Sequence, residues 1–238
     1  SMSLGWQILK DNYWSLVWLC FASFLIMMVG SIIASLVPFG DLVFGVLVTT
    51  PVMVGLSWWT VLASRGEKPS MNKLFAAFSN KYWTVVGISF IVLSIFYGIL
   101  FGTVLVGAAI GGASFALIYA ASEQAQAGNF DEIALGAMLV PVISAVTIGS
   151  LIALFAMVRL MWAPLIALDT EEKATSIGEC LGRCWKMTAQ SWFSIFFLVI
   201  FLCIIMMLSF LLLCVGYFLL GLPLYVASTT GAYLLLRQ

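Results

Sequence analysis

Residues 159–192 read RLMWAPLIALDTEEKATSIGECLGRCWKMTAQSW, and their order decides the fold. An apolar segment carrying one arginine, Arg159, ends in an acidic loop, Asp169 to Lys173. Ser176-Ile177-Gly178-Glu179 then has the form of a capping box, the sign of a helix start. Ile177, Leu181, Cys184, Trp185 and Thr188 share one face of the helix that follows. Glu179, Arg183, Lys186 and Gln190 share the other. Trp192 opens the next apolar run. A chain that crosses a bilayer, lies along its surface and crosses again is written this way.

The same order recurs on both sides of this stretch. Leu4 to Trp14 is a short mixed segment before an uncharged run, Ser15 to Val37. Pro38-Phe39-Gly40-Asp41 is a turn, and Val43 to Ala63 is a second run containing Pro51. Ser70 to Tyr82 has helical period, with Met71, Leu74, Phe75, Phe78 and Tyr82 on one face and Ser70 as its N-cap. Tyr82 to Ser122 carries no charge, and Ile133 to Leu168 carries only Arg159. Each is longer than one crossing, which takes about 20 residues. Two long or broken helices fit best, with Gly111-Gly112 as the expected break; extra spans are the alternative. Ser191 to Leu213 and Tyr217 to Leu236 complete the set. The chain is 63% hydrophobic and 8% charged, against about 25% charged in soluble domains. Mean hydropathy is +1.15. The expectation is an all-α membrane protein with six transmembrane helices. They form three hairpins, each preceded by a short interfacial amphipathic helix. Residues 3–238 form a single polytopic domain with hairpin units 4–65, 70–168 and 175–237. Ser1-Met2 reads as a tag scar.

The units align. Met53-Val-Gly-Leu-Ser-Trp58 and Met157-Val-Arg-Leu-Met-Trp162 match without a gap. Asn12-Tyr13-Trp14, Tyr82-Trp83 and Ser191-Trp192 close the three lead-ins. Pro51 and Pro223 stand equally far before Arg65 and Arg237. All lead-ins fall on one side, so the repetition is parallel rather than inverted. With six spans, Lys10, Arg65, Lys68, Lys73, Lys81, Lys173, Arg183, Lys186 and Arg237 share that side. The other side has only Asp41, Glu123, Asp131 and Glu132. The positive-inside rule then puts both termini in the cytoplasm.

The absence of histidine removes the usual proton shuttle and metal ligand. Five cysteines with no second pair beside Cys180 and Cys184 make no zinc pattern. No loop sets a nucleophile beside a base, and no span carries an acidic residue for ion coupling. Glu171-Glu172 near Asp169 reads as a solvated cluster. An enzyme is not expected, and no metal, cofactor or nucleic acid is implied. Membrane lipids are the expected partners. Arg159 aligns with Gly55 and lies inside the inner leaflet. Its plain reading is a side chain snorkelling to the interface. Its sharper reading is an anionic-lipid or ligand site with Arg183 and Lys186 above it. Trp14, Trp83 and Trp192 are expected interface anchors. Gly98-xxx-Gly102 and Gly107-xxx-Gly111 are small-residue spacings for helix packing. They pack within the chain or, on the sharper reading, join copies through the central hairpin. Thr49, Thr50, Ser144 and Thr147 leave a passive channel or transporter for a small solute as the competing function.

Trp162-Ala163-Pro164, then Leu165 to Asp169, then an amphipathic segment ending in Trp192 resembles a group of uncharacterised bacterial multi-pass inner-membrane proteins. That group is loosely related to the membrane domain accompanying some glycerophosphodiester phosphodiesterases. Gly5-Trp6-Gln7, Pro38-Phe39-Gly40 and Arg65-Gly66-Glu67-Lys68-Pro69 are similar to the same group. The resemblance implies a helical bundle in the bacterial inner membrane and carries no agreed activity.

Overall fold

The computed structural model describes the backbone of residues 2–67, 69–79, 81–125, 130–169, 176–211 and 216–237, and side chains there except at 2–5, 7–8, 118–138 and 210–211. Lys68, Lys173, Glu171-Glu172 and Cys214 therefore lie outside the described residues. The chain is an all-α membrane protein. Among the described residues six helices are long and apolar enough to cross a bilayer: Leu9–Ala34, Gly40–Ser64, Tyr82–Leu117, Leu139–Leu168, Trp192–Ser209 and Tyr217–Arg237.

Helix α1 (Met2–Ala34) absorbs the first lead-in, with a kink at Asn12 where φ is −125° and ψ 22°. The turn after it places Phe39 at φ 61°. Helix α2 (Gly40–Phe44) passes through a π-turn, Gly45–Thr49, into α3 (Thr50–Ser64). Gly66, at φ 81°, stops α3. Glu67 N–H reaches Leu62 O and Gly66 N–H reaches Ala63 O, closing the helix end with Arg65 as its C-cap.

The second lead-in differs from expectation. Residues Met71–Phe78 form a 3₁₀ helix, not an α-helix. With three residues per turn, Leu74 and Ala77 fall inside, while Met71, Phe75 and Phe78 are exposed. Ser70 takes the N-cap position but its side chain makes no cap bond. The reason is close packing on α3. A Cβ at Gly55 would collide with the Leu74 carbonyl oxygen, and Trp59 Nε1–H donates to Pro69 O at 3.0 Å.

Helix α4 (Tyr82–Ala125) is continuous, so Gly111-Gly112 does not break it. Helix α5 (Phe130–Leu160) ends before a turn at Met161-Trp162, and α6 (Ala163–Leu168) resumes. Pro164 brings no N–H to the Leu160 carbonyl, which accounts for the interruption. Helix α7 (Ile177–Ala189) starts on the expected capping box. Glu179 N–H donates to Ser176 Oγ at 3.2 Å, and Ser176 N–H to Glu179 Oε2 at 3.3 Å. Helix α8 (Trp192–Leu211), a π-turn (Tyr217–Gly221) and α9 (Leu222–Arg237) complete the chain.

The chain divides into two compact units, residues 1–91 with 158–238, and residues 92–157. The second helix of each hairpin is here called the return helix, and in the first unit those of the first and third hairpins lie inside. In Gly40–Ser64 and Tyr217–Arg237, 44% and 61% of an apolar 18-residue stretch is buried, against 28% and 17% in the first helices Leu9–Ala34 and Trp192–Ser209. The core joins Leu16, Leu19 and Cys20 of α1, Val52, Leu56 and Trp59 of α3, and Leu222, Val226 and Ala227 of α9. In the second unit α4 meets α5 at two small residues. A Cβ on Gly107 would come within 2.9 Å of Ala145 Cβ and 3.0 Å of Val142 Cα, and Gly149 faces Thr103.

Both membrane prolines are handled alike. Thr50 N–H reaches back to Gly45 O and Leu222 N–H to Tyr217 O, each five residues earlier. Pro51 and Pro223 then bring no N–H to the carbonyls four residues before them, Leu47 and Leu219. Tyr82 donates its hydroxyl to Leu47 O at 3.0 Å, and Tyr13 to Leu219 O at 2.8 Å. These tyrosines are the residues that close two of the lead-ins. The second hairpin has Phe155 at the aligned proline position, and Ser191 closes the lead-in that follows it.

Candidate functional site

Three features of the first unit concentrate its polar chemistry. The first is a clasp at the ends of the return helices. Asp169 is fully buried, with no side-chain exposure. One Arg65 nitrogen, Nη2, donates to both carboxylate oxygens, at 3.2 Å to Oδ1 and 3.0 Å to Oδ2. Arg237 Nη1 stands 3.1 Å from Oδ2, and the Tyr233 hydroxyl donates to Oδ2 at 3.0 Å. Arg65 and Arg237 keep about a fifth of their side-chain surface exposed, 21% and 20%. Both arginines end a helix, where the dipole favours a cation; the carboxylate sits at such an end against the dipole. Two cations and a phenol offset that cost and the cost of burial. The solvated reading of Asp169 is therefore corrected. Its neighbours Glu171 and Glu172 made it look like one of a water-exposed cluster. The shift of 104 residues that superposes Met53–Trp58 on Met157–Trp162 also separates Arg65 from Asp169. The three clasp charges thus occupy matching positions in the three aligned segments.

The second feature surrounds Arg159, which is buried at 9% exposure. Its Nη2 donates to Trp185 O at 3.0 Å and its Nε to Thr188 Oγ1 at 3.4 Å. The guanidinium carbon sits 3.8 Å from the Trp185 ring centroid, in cation–π contact. Trp185 and Thr188 lie in the last turns of α7, where the helix dipole adds to the attraction. The Cys184 thiol donates to Arg159 O at 3.1 Å. Burial pushes that thiol up to about 12, and burial raises Cys180 as well. Neither is a nucleophile near neutral pH. Arg183 and Lys186 are exposed, about 100° and 200° around α7 from the buried Cys184. Arg159 belongs to the interior, and Arg183 and Lys186 to the surface.

The third feature is a cavity of about 220 Å³ between α3, residues 161–165 and α9. Thr50, Met53, Val54, Ser57, Met161, Trp162, Pro164, Leu165, Tyr225, Val226 and Thr229 line it. Thr50 was singled out in the sequence for a solute path. Ser144, singled out with it, is exposed in the second unit and bonds Val140 O at 2.6 Å.

Among the remaining candidates, Trp14 and Trp83 are exposed at 68% and 76%, and Trp192 is half-buried. Gly98 and Gly102 border an open groove in the second unit, where an added Cβ would meet nothing within 4 Å. Gly107 packs inside that unit, and Gly111 is buried. Among the described residues no group of three or more acidic or cysteine side chains could hold a metal ion. The sequence reading missed Asp169, Arg65, Arg237 and Tyr233 as a site. The equal spacing of charged residues after the aligned segments was the signal that could have found them.

Fold and site together define a polytopic helical membrane protein with a charged clasp, an internal cation node and a small, mostly apolar cavity that includes three Ser and Thr residues. No family model, curated protein or solved structure matches the chain.

Proposed function

We propose that this chain is a non-enzymatic component of a bacterial inner membrane that binds anionic lipid along its cytoplasmic end. Both termini lie on that side, as the distribution of lysine and arginine requires. The observation that carries the reading is the division of labour in the lead-ins. Their inner residues are spent on the return helices: Leu74 against Gly55, and Cys184 and Thr188 against Arg159. Their cations Lys10, Lys73, Arg183 and Lys186 stay exposed. Exposed Trp14 and Trp83 follow two of these segments. Cations beside aromatic anchors suit a phosphate-bearing surface, each contributing about 1 kcal/mol. Arg159 takes no part, because its donors are used within the protein. Parallel repetition of the hairpin unit is part of the proposal, supported by the matching proline turns. The resemblance to uncharacterised inner-membrane proteins agrees with it.

Native mass spectrometry from membranes tests the reading. The wild-type protein should retain anionic lipid. Changing Lys10, Lys73, Arg183 and Lys186 to Gln should weaken retention by about fivefold per residue. Arg159→Lys should leave retention unchanged. Equal retention by the fourfold variant would sink the proposal.

A further inference from the structure

We propose that the cavity between the three return helices is a binding site for a small uncharged molecule bearing a carbonyl or hydroxyl oxygen. The proposal goes beyond lipid binding and uses none of its residues. Its chemistry follows from what lines the space. Among the described residues the lining contains no charged group. Thr50, Ser57 and Thr229 donate their hydroxyl protons to their own helices, to Gly45 O, Met53 O and Tyr225 O at 3.0, 3.1 and 2.8 Å. They therefore offer the cavity lone pairs and no proton. Two lining groups are the reverse. Among the described residues none accepts from the indole N–H of Trp162, a residue only 4% exposed, and none pairs with the Tyr225 hydroxyl. A donor that faces a largely apolar cavity without an acceptor forgoes a hydrogen bond, at a cost in free energy. In a membrane interior, bulk water does not relieve that cost.

A ligand oxygen accepting from Trp162 or Tyr225 relieves it, and a ligand O–H or N–H can meet the threonine and serine lone pairs. An anion would face those lone pairs without a compensating cation, and a cation would face the unpartnered donors. The volume, about 220 Å³, is below the usual range for drug-sized ligands, so the occupant is small. The clasp lies further along the same helices. Asp169 follows Leu165 by one helical turn, Tyr233 follows Thr229 by one, and Arg65 follows Ser57 by about two. The clasp charges are thus at least one helical turn from the lining residues and are not part of the site.

The indole N–H of Trp162 gives a direct readout. In ¹⁵N-labelled full-length protein in micelles, its cross-peak is assigned as the one missing from Trp162→Phe. Glycerol, urea and acetamide are titrated, with acetate and ethylammonium as charged counterparts. At least one uncharged probe should shift the peak saturably, and neither ion should. Thr229→Val keeps the volume and removes one set of lone pairs, so it should weaken that midpoint by about fivefold. If Trp162→Phe does not fold, the peak is assigned as the indole signal that Ser57→Leu, which fills the cavity, perturbs most; that variant should then lose the saturable shift. No saturable shift with any uncharged probe, or an equal shift with acetate, would overturn the proposal.

Discussion

Arg159 sits where its aligned counterpart is Gly55, and both positions serve contact with the next lead-in. Gly55 lets the Leu74 backbone approach; Arg159 reaches out to Trp185 O and Thr188 Oγ1. Replacing it with lysine keeps a charge but loses the fork and the flat stacking on Trp185. Arg159→Lys should lower stability by about 1–2 kcal/mol, and Arg159→Leu by more, read from thermal unfolding in detergent. Neighbouring Cys184 adds a pH dependence. Its folded value is raised from 9.0 to about 12 by burial, so the native state holds a proton that the unfolded chain releases. Stability from this group is complete below pH 9 and falls as pH rises toward about 12. Cys184→Ala should flatten that part of the pH–stability curve. A buried hydroxyl with no partner behaves oppositely to a paired one. Ser228 Oγ and Thr230 Oγ1 are such groups. Thr230→Val should be neutral or stabilising, by up to about 1 kcal/mol in the same melts. Arg159 was visible in the sequence because a lone charge in an apolar run is costly. Its partners were not, because a backbone carbonyl and a ring face 26 residues away leave no pattern in the letters.

Among the elements, those with local causes were legible and those set by packing were not. Ser176 and Glu179 form the capping box that their spacing implied, since that bond pattern is complete within one helical turn. The segment 71–78 has apolar residues that suit an α-helix, yet contact with Gly55 draws it into a 3₁₀ helix. Gly111-Gly112 invited a break, but the two glycines lie inside a continuous α4. The prolines show a rule that spans elements. Where a return helix carries proline, the next lead-in around the set of three carries tyrosine, and its hydroxyl serves the freed carbonyl. The order closes on itself, because Tyr13 of the first lead-in serves Leu219 in the last hairpin. A double-mutant cycle isolates this. Tyr82→Phe should cost about 1 kcal/mol in the wild-type protein. In a Pro51→Ala background the restored N–H can serve Leu47 O, so the same change should cost much less. Equal costs in both backgrounds would refute the link.

At the scale of the molecule, the clasp ties the ends of all three return helices through one carboxylate. Each arginine supplies part of the charge compensation for Asp169, whose side chain is fully buried. Arg65→Met leaves Arg237 and Tyr233 in place, and Arg237→Met leaves Arg65 and Tyr233. Either single change should therefore be tolerated at a modest cost, since the freed space lies beside partly exposed arginine stems. The double change removes both cations from a buried carboxylate. Its cost should exceed the sum of the singles, moving toward the roughly 3–5 kcal/mol seen when a buried ion loses its partner. The decisive step is a third substitution. If the arginines act by compensating charge, adding Asp169→Leu to the double variant removes what needed compensation. The triple variant should then recover most of the lost stability, because an apolar set of similar volume is often no worse than an ion network. If the arginines instead act by packing their stems, additive costs and no recovery are expected. Thermal unfolding of the wild type and the four variants in one detergent distinguishes the two.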